Sequence, residues 1–131
     1  GTIHLLNETL RTDLVGLNNY IEDQEINIAF LPTVICEEFY RLDNQSLSKV
    51  LTGGDKLNYY NKKGFKTYNN YGPTENTVVA TSFEVDKEYS NIPIGRPISN
   101  TQIYILSEGG SLCPVGVVGE ICISGAGLAR G

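Results

Sequence analysis

The chain has 131 residues, of which 40% are hydrophobic and 19% charged, with a formal net charge of −5; this is the composition of one globular domain rather than of a disordered segment. Nucleic acids and anionic membrane surfaces reward clustered Lys and Arg, so an acidic balance with scattered basic residues argues against both partners. Cys36, Cys113 and Cys122 form neither a disulfide framework nor a CxxC metal pair, which points to a reduced, cytoplasmic setting, and no apolar run approaches the roughly 18 residues of a membrane span.

In chain order, Ile3 to Leu6 reads as a strand. Thr12 can cap a helix whose Leu14, Leu17 and Ile21 recur at spacings of three and four, giving one apolar stripe. Ile26 to Leu31 is a second strand. Pro32 suits the first turn of a helix that aligns Ile35, Phe39 and Leu42 on one face and lets Glu37 pair with Arg41. Ser48 to Thr52 is a third strand, broken at Gly53-Gly54, and a short helical stretch through Leu57 and Tyr60 follows, stopped at Gly64. Lys66 to Asn70 is the fourth strand.

This alternation of strand and helix periods is the signature of βαβ units and a mainly parallel sheet. Beyond Glu75 the character changes. Thr77 to Val85 is rich in β-branched residues, Gln102 to Leu106 and Gly119 to Ser124 alternate, and Pro93, Pro97, Pro114 and the Glu108 to Ser111 turn exclude long helices. The expected architecture is α/β: a partial, mainly parallel sheet with flanking helices over residues 1–89, then an all-β, partial barrel-like subdomain over 90–131.

The chemistry concentrates where the fourth strand ends. A glycine-proline turn at the carboxyl edge of a parallel sheet is where ligands bind. Here it presents Thr74, a hydroxyl suited to a phosphate, and Glu75, a hard oxygen ligand suited to Mg²⁺. Tyr71 adds a flat face for a base. An ordinary strand-to-turn link is the plain alternative for so short a motif.

The run Asn69-Asn70-Tyr71-Gly72-Pro73-Thr74-Glu75 resembles, residue for residue, the Asn-x-Tyr-Gly-Pro-Thr-Glu element of nonribosomal peptide synthetase adenylation domains, in the adenylate-forming, AMP-binding superfamily. Two further stretches resemble that family's elements in the right order. Leu51-Thr52-Gly53-Gly54-Asp55 resembles its adenine-backing glycine pair, with Asp55 where Glu or Ala is more usual. Gly119 to Gly131 resembles its GELCIGGxGxARGY element, departing at Ile121 and Ser124.

What the resemblance implies can be carried over by position. Asn69 would meet the adenine amino group and Tyr71 stack on the base, with Gly53 and Gly54 as the opposite wall and Gly72 among the nucleotide contacts. Thr74 and Glu75 would serve the reaction, Glu75 through Mg²⁺. Phe30, Leu51, Gly53, Asn70, Val78 and Val79 would line the amino-acid pocket. Five of these six are apolar or glycine, and burying an unpaired charge among them is costly, so an aliphatic substrate is expected, leucine first by likeness to the leucine-type code.

The implied reaction joins an amino acid to ATP and then loads it onto the phosphopantetheine thiol of a carrier protein. The family's phosphate loop is expected before Gly1, and its ribose aspartate, hinge and lysine after Gly131, so the 131 residues by themselves are expected to be inactive. An acyl-CoA or aryl-CoA ligase of the same superfamily is the near alternative, and a non-catalytic nucleotide-binding or interaction module the distant one. Gly125-Ala126-Gly127 lacks the helix and acidic residue of a dinucleotide fingerprint. His4 has no partner ligands for a metal role, and Cys36 reads as a small core residue.

Overall fold

A computed structural model describes residues 1–130. Helices α1 (Glu8–Thr12), α2 (Leu14–Asp23) and α3 (Thr33–Phe39) accompany strands β1 (Ile28–Pro32), β2 (Lys49–Gly53), β3 (Lys66–Tyr71), β4 (Thr81–Val85), β5 (Arg96–Pro97), β6 (Thr101–Leu106) and β7 (Glu120–Gly125). Strands β1 to β5 form one sheet in chain order, and β6 and β7 form a second. The first sheet is mixed, with β1 and β2 parallel and β4 and β5 antiparallel. The α/β class stands. Residues 1–69 with 84–93 make one compact unit, and residues 70–83 with the chain from Ile94 on make another.

In the first unit, α3 lies against β1 and β2 and touches α2. The apolar stripe of α2 buries Leu17 and Ile21, as its spacing requires. Its cap is Asp13, whose Oδ1 accepts the Gly16 amide at 2.9 Å; Thr12 instead closes α1, which Asn7 caps through the Leu10 amide. Such a cap contributes about 1 kcal/mol. The buried face of α3 is Thr33, Cys36 and Phe39; of the expected Ile35, Phe39 and Leu42 only Phe39 is fully buried, and the helix ends before Leu42. Tyr40 follows, 2% exposed, stacked on Phe65 and edge-on to Tyr59 and Tyr60, with its hydroxyl donating to Thr67 at 3.1 Å. Burial pushes the Tyr40 phenol and the Cys36 thiol upward in pKa, so both stay neutral as core groups.

Three further local expectations fail in this unit, each for a physical reason. Ile3 to Leu6 is not a strand: no described strand pairs with it, and β-propensity is realised only against a neighbour. Ile3 and Leu5 stay exposed, while the His4 ring meets the Tyr20 hydroxyl at 3.1 Å. No helix runs through Leu57 and Tyr60, although both are buried. The amides of Asn58 and Tyr59 donate to Glu37 Oε1 at 2.7 and 3.2 Å, and that of Lys56 to Asp55, so side chains take the groups a helical ladder needs. Glu37 is thereby unavailable to Arg41, which pairs with Glu38.

On β3 and β4, Lys66 Nζ and the Tyr68 hydroxyl each reach one carboxylate oxygen of Glu84 at 2.8 Å. Hydrogen bonds from Lys66 and then Tyr68 hold the Glu84 carboxyl below its ordinary pKa, and Glu84 raises those of Lys66 and Tyr68. A depressed carboxylate contributes stability above the unfolded pKa of about 4.3 and loses it as pH falls through the lower folded value. The two raised groups contribute below their unfolded pKa values and lose this as pH rises through the folded ones. Unfolding midpoints of wild type and Glu84→Gln should therefore differ near neutrality and converge in acid; parallel curves across the acid range would contradict the triad.

The second unit is built on fewer buried side chains. Ala80 and Thr81 are buried, and the Thr81 hydroxyl donates to the Ile94 carbonyl. The β6 and β7 strands pair antiparallel from Thr101↔Gly125 to Leu106↔Glu120. Among the described residues no helix is long and apolar enough to cross a membrane.

Candidate functional site

The sequence-predicted site residues fall into two groups, one in each unit. In the first unit, Phe30 of β1 stands in register with Leu51 of β2, and Pro32 with Gly53. Alternation along parallel strands puts Phe30 and Leu51 on the same face of the sheet. Leu31, Val50 and Thr52 point the other way and are buried. Phe30 is 52% exposed and Leu51 partly so, so this face offers apolar surface. Gly53 ends β2, and Gly54 turns the chain with φ +96°, a left-handed value glycine adopts without strain.

Asn69 lies on β3 and is 4% exposed, its amide nitrogen donating to the Pro93 carbonyl at 2.9 Å. That bond fixes the side chain and leaves Oδ1 as an acceptor. Asn70 is the next residue of the same strand, so its side chain leaves the opposite face of the sheet. The two asparagines cannot serve one ligand group.

The second group is a closed loop. Tyr71 ends β3 and is 36% exposed, and its carbonyl accepts the Ala80 amide at 2.7 Å. This bond brings the two ends of the 71–80 loop together. Gly72 is the residue that permits it: a Cβ there would lie 2.6 Å from both the Ala80 nitrogen and the Val78 oxygen, well inside contact distance.

Beyond Pro73 a single 3-10 turn, Thr74–Asn76, carries the Thr74 hydroxyl and the Glu75 carboxylate on its exposed side. No described residue pairs with that carboxylate. Asn76 is buried, 1% exposed, and its Oδ1 has no hydrogen-bond partner among the described residues.

The chain then leaves the expected course. Thr77 to Val85 reads as one strand, but β4 starts at Thr81. Thr77 (φ 52°, ψ 46°) and Val78 (φ 74°) are both left-handed, a conformation costing about 1–3 kcal/mol for a residue other than glycine. Val78 consequently points outward, 60% exposed, whereas Val79 is partly covered. The Thr77 hydroxyl donates to the Gly127 carbonyl at 2.6 Å, and the Ala129 amide to the Glu75 carbonyl at 2.7 Å. Sequence reading missed Asn76, Thr77 and Gly127 as members of this site. The available signal was the shared glycine-rich stretch, whose contact with residues 75–77 only the fold reveals.

Mg²⁺ is held by one or two carboxylates completed by water and substrate phosphates, rather than by an all-protein cage. A single exposed, unpaired Glu75 beside a hydroxyl fits that requirement. No group of three or more His, Cys, Asp or Glu gathers elsewhere among the described residues.

The sheet and its helices define an α/β protein in which β3 ends in a closed turn bearing an aromatic ring, a hydroxyl and a free carboxylate. The family described as AMP-binding enzyme matches residues 1–131, and the chain belongs to it. It is 58% identical over 131 residues to bacitracin synthase 1 of Bacillus licheniformis, and 53% identical over 129 residues to surfactin synthase subunit 2 of Bacillus subtilis. Those alignments take in 100% and 98% of the chain but only 2% and 4% of the synthases. A four-domain nonribosomal peptide synthetase bound to AMP and glycine superposes on it with a TM-score of 0.83 at 30% identity, over 99% of this chain and 10% of that one. An NRPS protein containing adenylation and PCP domains gives 0.78 at 30% identity, over 90% and 27%.

Proposed function

We propose that the protein carrying these residues activates an amino acid with ATP, releasing pyrophosphate, and passes the aminoacyl group to a carrier-protein thiol for nonribosomal peptide synthesis. The observation that carries the reading is the 71–75 strand end, where an exposed tyrosine, a hydroxyl and an unpaired carboxylate follow one another on a closed loop. Similarity to synthases and to a structure holding AMP and glycine supports it.

In this reading an oxygen of the amino-acid carboxylate attacks the α-phosphorus of ATP. The bond from that phosphorus to the bridging oxygen breaks, and pyrophosphate leaves with the electron pair. The thiol of the carrier's phosphopantetheine arm, giving up its proton, later attacks the acyl carbon and displaces AMP. Tyr71 stacks on the adenine, Asn69 Oδ1 accepts from its amino group, and Gly53, Gly54 and Gly72 let the backbone approach the nucleotide. Thr74 donates to a phosphate oxygen, and Glu75 would hold Mg²⁺, which when bound would supply positive charge to the phosphates. The residues' own part in catalysis is mainly positioning and electrostatics.

Phe30, Leu51, Gly53, Asn70, Val78 and Val79 receive the amino-acid side chain. The in-register Phe30 and Leu51 pair supports an aliphatic substrate, leucine first, because an apolar wall leaves a substrate charge unpaired. We assign these contacts to residues 1–89 and the supporting β part to residues 90–131. The 131 residues alone are expected to lack turnover, and the protein is expected to work in the cytoplasm.

ATP–pyrophosphate exchange by the intact protein tests the reading. Leucine, or another aliphatic amino acid, should stimulate exchange, and Lys, Arg, Asp and Glu should not. Stimulation by fatty or aromatic acids alone would instead make it an acyl-CoA or aryl-CoA ligase, and absence of ATP binding would make it a non-catalytic module.

A further inference from the structure

The glycine-rich stretch after β7 lies far from Glu75 in sequence yet meets residues 75–77 at three points, one through the Glu75 main chain and two through the Asn76 and Thr77 side chains. The Ala129 amide donates to the Glu75 carbonyl at 2.7 Å, and the Thr77 hydroxyl to the Gly127 carbonyl at 2.6 Å. Asn76 lies between them. A Cβ on Gly127 would stand 3.0 Å from Asn76 Oδ1 and 3.4 Å from its Cγ and Nδ2, so a side chain there would press on the buried amide. The contacts fall on three consecutive residues, Glu75, Asn76 and Thr77, and Thr77 and the following Val78 are left-handed despite branched side chains. Such strained residues persist only where surrounding structure holds them.

We propose that residues 125–129 are a latch that fixes the Glu75 turn, with Thr77 as its positioning residue. The Thr77 hydroxyl itself touches neither substrate nor metal. Its bond to Gly127 keeps residue 77 left-handed, and this sets the direction in which the preceding turn presents the Glu75 carboxylate. Threonine suits this position because its hydroxyl can reach a facing carbonyl. Valine has the same shape without the bond. The consequence for metal and nucleotide rests on the reading of Glu75 given above, whereas the latch itself does not.

The test uses the intact protein with Thr77→Val, Thr77→Ser and Gly127→Ala, and Glu75→Gln as the reference. Amide hydrogen exchange over residues 74–78 and at Ala129 reads the latch directly. Calorimetric titration with ATP at graded Mg²⁺ reads its consequence. Thr77→Val should speed exchange at Ala129 and raise the Mg²⁺ needed for half-maximal ATP binding about tenfold, the scale of one lost hydrogen bond. Thr77→Ser should stay within about twofold of wild type because it keeps the donor. The KM for the amino acid should hardly move in either.

Unchanged exchange in Thr77→Val overturns the latch, and so does a Thr77→Ser protein as impaired as Thr77→Val, which would assign the effect to the methyl group. If Thr77→Val does not fold, Gly127→Ala decides: it should loosen Ala129 while retaining the hydroxyl, and wild-type protection there overturns the proposal. ATP binding unaffected by Glu75→Gln would sink the metal role of Glu75 but leave the exchange result to judge the latch.

Discussion

Replacing Gly72 by alanine is expected to lower the exchange activity of the intact protein by about 100-fold, the scale associated with a misplacement of catalytic groups by about 1 Å. The added methyl has nowhere to go. Its Cβ would sit 2.6 Å from the Ala80 nitrogen and the Val78 oxygen and 2.9 Å from the Val79 carbonyl carbon. All three are backbone atoms, so relief requires the 78–80 segment to move and the 2.7 Å bond from Ala80 to Tyr71 to lengthen. That segment continues into β4, and Val78 and Val79 belong to the proposed amino-acid pocket. Both KM for the amino acid and kcat should suffer. Overpacking of this kind costs about 1–3 kcal/mol, so the unfolding midpoint in urea should fall as well. A Gly72→Ala protein within twofold of wild type in both measurements would show that the loop does not close as described.

Glu75→Gln should have an effect of comparable size and a different profile. The side chain is exposed and pairs with no described residue, whereas the carbonyl that accepts from Ala129 is retained in glutamine. Stability should therefore stay within about 0.5 kcal/mol of wild type. Activity should drop by about two to three orders of magnitude, the usual loss when one electrostatic element of a transition-state site is removed. Excess Mg²⁺ should restore part of it, because a neutral amide oxygen remains a weak ligand. A folded Glu75→Gln protein with wild-type kcat and wild-type Mg²⁺ dependence would remove Glu75 from the reaction.

The two variants separate what the 71–75 run does by shape from what it does by charge, and they show how unevenly the fold announces itself in sequence. Periodic signals were reliable for most elements that bury one face, α3 excepted, where Cys36 rather than Ile35 is buried. Leu17 and Ile21 on α2, the parallel pair β1 and β2, and the alternating β6 and β7 lie where their patterns place them. Signals failed where a side chain or a distant segment captured a backbone group. Glu37 takes the amides of Asn58 and Tyr59, so a stretch with helical spacing at Leu57 and Tyr60 is irregular, although both residues are buried as a helix would bury them.

The same physics explains the loop beyond Glu75. Thr77 and Val78 have high β-propensity, yet the Ala80 bond to Tyr71 and the Thr77 bond to Gly127 hold them left-handed. Propensity describes a residue beside average neighbours, and here the neighbours come from fifty positions later. The strand-end motif was legible because its chemistry is consecutive in sequence. Its support was not, because it is assembled by folding.

The central claim is that this strand end serves amino-acid adenylation, and the most direct measurement is to trap the product. The intact protein should be incubated with ATP, Mg²⁺ and each amino acid or carboxylic acid in turn, then quenched into hydroxylamine and read by mass spectrometry. The hydroxamate of leucine, or of another aliphatic amino acid, should form only with ATP and be lost in Glu75→Gln. Hydroxamates of fatty or aryl acids with none from any amino acid, or no ATP-dependent product at all, would contradict the claim.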